Sequence, residues 1–160
     1  MLLKVKKHIG LKVTQSADVH RIFVDVLKRL PRFEKDKERV WTIGLNRKNL
    51  IRYIDLVSIG ALHGAIVEPR EVYRTAIHLG ASSIILVHNH PSGGEPTPSN
   101  NDKAITEKAK RAGSILGVEL LDHIIVTPEG HYSFADNDWP LSPISSSQSS
   151  PLETCRRTED

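Results

Sequence analysis

Apolar side chains recur along this chain at two spacings, and each spacing predicts a different kind of element. Residues 16–30 carry them three and four positions apart, as in a helix with one buried face. That face consists of Val19, Ile22, Phe23, Val26, Leu27 and Leu30, with Ser16 as the expected cap and Pro31 as the stop. Before it, residues 1–14 alternate loosely, which is compatible with an edge strand or a hairpin.

Runs rich in β-branched residues predict the strands. Residues 39–46 and 50–59 flank a turn and are expected to pair as a hairpin. Residues 83–87 and 118–126 are short, largely apolar and closed by turn residues, which is typical of buried strands. A Pro-Glu-Gly turn then leads into a last short strand at 131–134.

Two more helices are predicted between these strands. The first begins at Pro69 after a bend at residues 60–64, ends at Gly80, and is expected to bury Val72, Tyr73, Ala76 and Ile77. The second begins near Ser99, and the apolar residues after it recur at helical spacing, namely Ala104, Ile105, Ala109, Ala112, Ile115 and Leu116. The order of elements therefore predicts an α/β domain with a mixed β-sheet flanked by helices.

The composition is that of one globular domain followed by a polar tail. A chain of 160 residues, 39% of them hydrophobic, is long enough for one core, which we place in residues 1–140 with an N-terminal extension at 1–37. Residues 141–160 change to Ser, Pro, Gln and charge and are predicted to be a disordered tail. No apolar run reaches roughly 18 residues and the start lacks a secretory signal, so we expect a cytoplasmic protein without membrane contact.

Charge and cysteine usage narrow the chemistry. The formal net charge is +3, without the dense basic stripe typical of nucleic-acid modules, so a nucleic-acid partner is weakly supported. The single cysteine, Cys155, lies in the polar tail, which excludes an internal disulfide and any cysteine-ligated zinc. Any bound metal must therefore use histidine and carboxylate ligands.

A candidate metal site begins where the strand at 83–87 ends. His88 and His90 stand two residues apart, so the alternation of a strand points both imidazoles to one side. Ser99 and Asp102 have the Ser-x-x-Asp spacing of a helix N-terminus, where the helix dipole favours an ionised carboxylate. Two imidazoles and one carboxylate are a normal ligand set for a catalytic zinc, which keeps a fourth position for water.

This motif resembles that of a known superfamily. The spacing of His88, His90, Ser99 and Asp102 is similar throughout to the metal motif of the JAB1/MPN/Mov34 (JAMM) metalloproteases. The resemblance is to the bacterial RadC branch, and it rests on His-Asn-His-Pro-Ser-Gly at 88–93, Glu-Pro-Arg-Glu at 68–71, Leu-Asp-His at 121–123 and Tyr-Ser-Phe at 132–134. It runs from about Glu38 to about Asp138.

The resemblance implies both a fold and an activity. The fold would be a RadC-like JAB/MPN domain, with the three-layer architecture that it shares with cytidine deaminases. The activity would be zinc-dependent hydrolysis of a peptide or isopeptide bond in a protein or peptide substrate. The zinc would be held by His88, His90 and Asp102.

It also implies two catalytic residues. Ser99 would donate a hydrogen bond to the oxyanion of the tetrahedral intermediate. A glutamate from an early strand would be the general base, and Glu38 is the candidate at the corresponding place. Glu68 and Glu71 remain rivals for that role because they stand close before the metal strand.

Three further residues and three further functions complete the set of expectations. Asn89 and Ser92 are candidates for positioning substrate, and His123 for supporting a metal ligand without binding the metal. The main alternative function is a nucleic-acid-associated DNA repair accessory module without proteolytic activity. An iron oxygenase would use the same ligand types, whereas a nucleobase deaminase needs a Pro-Cys-x-x-Cys motif that one cysteine cannot supply. The oligomeric state stays open.

Overall fold

One mixed sheet of five strands organises the protein, which a computed structural model describes over residues 6–31, 35–60 and 67–139. The strands are β1 (Arg39–Leu45), β2 (Ile51–Ile59), β3 (Ser83–Asn89), β4 (Glu119–Val126) and β5 (His131–Ser133). Their spatial order is β2-β1-β3-β4-β5. β3 and β4 run parallel, and the other neighbouring pairs are antiparallel, including the predicted hairpin of β1 and β2.

Helices cover both faces of this sheet. They are α1 (Ser16–Lys28), α2 (Pro69–Leu79) and α3 (Asn100–Leu116), preceded by a short 3-10 turn at Lys6–His8. α1 packs Phe23 against Trp41 of β1, with ring centroids 5.0 Å apart, while α2 and α3 pack Tyr73 and Ile105 against the opposite face. The predicted α/β fold with a mixed sheet flanked by helices is confirmed.

The parallel pair of strands fixes the position of α3. Parallel neighbours need a crossover connection, which here consists of the loop at residues 90–99 and then α3. α3 therefore begins at the edge of the sheet where β3 ends, and its first turn faces the end of that strand. This arrangement brings His88, His90 and Asp102 to one edge of the sheet.

Two expectations about caps and buried faces were wrong, and the apolar spacing along α3 does not mark its buried face. Gln15, not Ser16, is the N-cap of α1, and its capping box is completed by Asp18. Ile77, expected to face inward, is 56% exposed. In α3, the apolar residues Ala104, Ile115 and Leu116 are exposed. The buried face of α3 includes three polar or small residues, namely Asp102, Thr106 and Gly113. Apolar spacing alone therefore does not identify this face.

Some expectations fall only partly on the described residues, or not at all. Residues 6–14 form the 3-10 turn and a single bridge between Lys12 and Leu50, in place of a full edge strand. The predicted bend at 61–64 and the predicted disordered tail at 141–160, with Cys155, lie outside the described residues. Across the described ranges, no helix is long and apolar enough to cross a bilayer.

Candidate metal centre

The end of β3 presents two imidazoles to the same face of the sheet. His88 lies opposite Val40 of β1 and Ile125 of β4, and it is 1% exposed. His90 follows the strand directly, and its backbone N–H still donates to the carbonyl of Val126 at 3.1 Å. Because the extended backbone continues through His90, its ring lies on the same side as that of His88.

The first turn of α3 supplies the carboxylate. Ser99 is the N-cap, and its hydroxyl oxygen accepts a hydrogen bond from the backbone N–H of Asp102 at 3.2 Å. In return, the backbone N–H and the hydroxyl of Ser99 both donate to Asp102 Oδ2, each at 2.7 Å. This capping box fixes the carboxylate over the strand end and leaves Oδ1 directed at His88.

The three side chains meet at the spacing that a metal requires. His88 Nε2 lies 2.9 Å from His90 Nε2 and 3.2 Å from Asp102 Oδ1, and His90 Nε2 lies 3.7 Å from Asp102 Oδ2. Ligands at 2.0–2.2 Å around a tetrahedral zinc are about 3.3 Å from one another. One donor atom of each side chain lies within 4.8 Å of the other two, so the three residues could hold one metal ion.

The electrostatics of this group favour metal binding. Burial lowers the pKa of His88 to about 4, so the ring is neutral near pH 7. Burial alone would raise the pKa of Asp102, but contacts with His90, His88 and Ser99 outweigh it and hold that pKa well below its usual range. Metal ligands must be deprotonated, and both shifts keep His88 and Asp102 in that form.

A third imidazole lies directly behind His88. His123 Nε2, on β4, is 2.8 Å from His88 Nδ1, and His123 Nδ1 is 2.7 Å from the Thr106 hydroxyl. Thr106 in turn donates to the backbone carbonyl of Asp102 at 2.6 Å. These contacts connect His88 to the backbone of Asp102, so they link two of the candidate ligands. Thr106 was not predicted from the sequence, although its position four residues after Asp102, on the same helix face, was a usable signal.

Glu38 lies on the same side of the sheet as the imidazoles. It precedes β1 by one residue, and its carbonyl accepts a hydrogen bond from the backbone N–H of Gly60 at 3.0 Å, so the extended pairing reaches it. Val40 lies opposite His88, and Glu38, two residues earlier, shares the face of Val40. Its rival Glu71 forms an ion pair with Arg74 on α2.

Asn89 makes contacts that the sequence did not indicate. Its side-chain oxygen accepts from the backbone N–H of Arg39 at 2.8 Å, and its amide nitrogen donates to the carbonyl of Lys37 at 3.2 Å. The amide thus binds the backbone on both sides of Glu38. Ser92, the other predicted loop residue, is exposed in the turn that follows His90.

Asp122 is a buried carboxyl beside this centre. It accepts hydrogen bonds from the backbone N–H groups of His123 and Ala135 at 2.7 and 3.0 Å, and from the Ser133 hydroxyl at 2.6 Å. Burial raises its pKa to about 6 despite these bonds. Between about pH 4 and pH 6 the folded state therefore binds more protons than the unfolded chain, and this group's contribution to stability falls as pH rises.

We expect Asp122→Asn to remove this pH dependence. The free energy of unfolding of the wild type, minus that of the variant, should fall by about 2–3 kcal/mol between pH 4 and pH 7. Urea unfolding of the metal-free protein across that range measures it. Asp138→Asn is the matched control, because Asp138 is exposed and Asn tolerates its positive φ. A constant difference for Asp122→Asn would contradict the raised pKa.

Comparisons with known proteins identify the family of this chain. The model of the RadC-like JAB domain matches residues 13–139. A UPF0758 protein of Chlorobium phaeovibrioides is 38% identical over 136 residues, which are 85% of this chain and 58% of that protein. A UPF0758 protein of Caldanaerobacter subterraneus is 43% identical over 133 residues, 78% of this chain and 54% of its own length.

A third relative is more similar over a shorter stretch. A UPF0758 protein of Thermotoga maritima is 46% identical over 101 residues, 63% of this chain and 45% of that protein. The chain spans about half the length of the curated relatives that it matches.

Proposed function

This chain belongs to the RadC-like JAB domain family, and we propose that it is a zinc-dependent hydrolase that cleaves a peptide or isopeptide bond. The observation that carries the proposal is the convergence of His88, His90 and Asp102, whose donor atoms lie within 4.8 Å of one another. Zinc is the metal proposed because two imidazoles and one carboxylate with an open vertex are its usual catalytic ligand set. When bound, zinc would polarise the substrate carbonyl and lower the pKa of a water molecule to about 7.

Glu38 is the proposed general base. It would take a proton from the attacking water and return it to the leaving amine, as this chemistry requires of a nearby carboxylate. Its place on the face of His88 and His90 supports the assignment. Asn89 positions it, because the side-chain amide of Asn89 holds the backbone at Lys37 and Arg39.

Ser99 is the proposed donor to the oxyanion. Its hydroxyl hydrogen now points to Asp102 Oδ2, which also receives the backbone N–H of Ser99. The carboxylate therefore keeps one Ser99 hydrogen bond when the hydroxyl rotates toward a substrate oxygen. Removing such a donor typically costs about 3–4 kcal/mol in the activation barrier.

His123 and Thr106 are proposed to orient the ligands. When Nε2 of His88 faces a metal, its Nδ1 carries the proton and donates to His123 Nε2. His123 then donates from Nδ1 to Thr106, whose hydroxyl donates to the Asp102 carbonyl. Each bond in this series has one proton, so the arrangement needs no charged imidazole.

We expect His123→Phe to lower the affinity for zinc about 10- to 100-fold, the usual effect of losing a group that supports a ligand. Phenylalanine should preserve the stacking on Phe134, whose ring lies 5.0 Å away. Competition titration against a chromophoric chelator measures the affinity. Thr106→Ser, which keeps the hydroxyl, is the control. Unchanged affinity in His123→Phe would remove His123 from the proposed support of the site.

The function itself is tested with the zinc-loaded full chain. A proteome-derived peptide library and a peptide joined through a lysine side-chain amide are incubated in isotopically labelled water. Mass spectrometry should find new carboxyl groups that carry the label, and none after chelation of the metal. A protein that cannot be loaded with zinc, or one that cleaves neither kind of bond, would overturn the proposal.

A further inference from the structure

A cavity of about 310 Å³ opens beside His90 on the α1 side of the sheet. Its lining comes from α1, from residues 35–36, and from the ends of β3 and β4 with the residues that follow them. His90 also belongs to the metal group, so the cavity and the metal centre share this residue. A group bound in the cavity would therefore contact a candidate metal ligand.

The interior of the cavity is apolar. Val24 and Leu27 of α1, Val126 of β4 and two prolines line it. Asn89 also lines it, but both polar atoms of its side chain are engaged by the backbone at Lys37 and Arg39. An apolar group is therefore the kind of ligand that the interior favours.

The rim of the cavity is charged. Lys28, in the last turn of α1, and Lys35 both line it and are exposed, and Asp36 is the one acidic residue among the lining residues that the structure describes. Two cations against one anion favour a ligand with negative charge at the mouth. The volume lies at the lower end of ligand pockets, which begin at about 300 Å³, so it accommodates one large side chain rather than a folded partner.

We propose that this cavity is a specificity subsite for the substrate, binding a large apolar side chain whose neighbouring residue carries a carboxylate. Lys28 and Lys35 bind the carboxylate, and Val24, Leu27 and Val126 contact the apolar group. The inference rests on the proposed hydrolase function, since it assigns the bound residue to the substrate of that reaction. It names the substrate class as polypeptide segments in which an apolar residue adjoins an acidic one.

Binding is tested apart from catalysis. The full chain carrying Glu38→Gln, loaded with zinc and again after chelation, is titrated with acetyl-Phe-Glu-amide while backbone amide resonances are recorded. Acetyl-Phe-Lys-amide and acetyl-Ala-Glu-amide are the comparison ligands. The Phe-Glu peptide should shift the amides of Leu27, Asn89 and Val126 and bind at least about tenfold more tightly than either comparison ligand, a difference of about 1.4 kcal/mol.

Variants identify the groups responsible. Lys28→Glu combined with Lys35→Glu should reverse the preference between the Phe-Glu and Phe-Lys peptides, and Val24→Trp should fill the cavity and abolish binding of both. Lys48→Glu, the same charge change at the exposed turn on the opposite edge of the sheet, should leave the preference unchanged. If Val24→Trp does not fold, the double variant at the exposed Lys28 and Lys35 still tests the proposal.

The outcomes separate this inference from the function on which it rests. Equal binding of the three peptides, shifts outside the cavity, or a preference unaffected by the lysine pair would overturn the subsite. Selective binding by a chain that hydrolyses nothing would retain the subsite and remove the hydrolase. Hydrolysis without preference for an apolar-acidic pair would retain the hydrolase and remove the subsite.

Discussion

Replacing His88 with alanine is expected to leave the protein without bound metal and without hydrolytic activity. His88 is 1% exposed, and its Nε2 lies within 3.2 Å of both other candidate ligands. Two remaining ligands cannot complete a catalytic zinc site, which requires three from the protein. The loss in affinity should exceed the range of about 10- to 100-fold expected for groups that only support ligands.

Metal analysis of the purified protein measures this effect directly. The wild type should contain one zinc per chain, and His88→Ala less than a tenth of that after dialysis. His78→Ala is the matched control, because His78 is exposed at the end of α2 and far from the metal group in the fold. A zinc content in His88→Ala equal to that of the wild type would contradict the proposed site. Purification without oxygen distinguishes zinc from the iron of an oxygenase.

Glu38→Gln is expected to abolish turnover while leaving the metal in place. Glutamine has the shape of glutamate but cannot accept the proton of the attacking water. Losing a general base typically reduces the rate about 10²- to 10⁴-fold. The measurement is the rate of peptide cleavage at equal zinc content, with any substrate identified from the peptide library. Thermal unfolding checks that the variant is folded.

Two companion variants make this result specific. Glu71→Gln alters the rival glutamate, which is paired with Arg74, and should retain most of the activity. Asn89→Ala removes the amide that holds the backbone beside Glu38, and should lower kcat more than it raises KM while zinc content is preserved. Full activity of Glu38→Gln together with inactivity of Glu71→Gln would assign the role of general base to Glu71.

Local patterns were sufficient to predict most of the fold. The β-branched runs identify β3 and β4, and Pro69 and Gly80 limit α2 as expected. The two-residue spacing of the imidazoles and the Ser-x-x-Asp spacing of a helix start predict where the ligands converge, because each depends only on the geometry of one element. The membership in the RadC-like JAB domain family agrees with the resemblance drawn from the same residues.

Features that depend on distant parts of the chain were not predictable in this way. Asn89 and Arg39 are 50 positions apart, so the sequence around either residue does not indicate that the two are in contact. The cavity beside His90 is lined by segments from four parts of the chain, and no local pattern marks it. The buried face of α3 could not be predicted from apolar spacing, because it includes Gly113, which packs against Tyr73, and a glycine gives no apolar signal. The nucleic-acid alternative stays a prediction, to be tested by salt-dependent DNA binding.

Asp102 completes the N-terminal capping box of α3 and also belongs to the metal group. Whatever occupies that group therefore also holds the first turn of the helix, so occupancy and helix order are linked by mass action. Amide hydrogen exchange at Asp102 and Lys103 should slow when the ion binds. By reciprocity, a substitution that frays this turn weakens the ion's binding by the same free energy. The helix start thereby becomes a reporter of occupancy that needs no substrate.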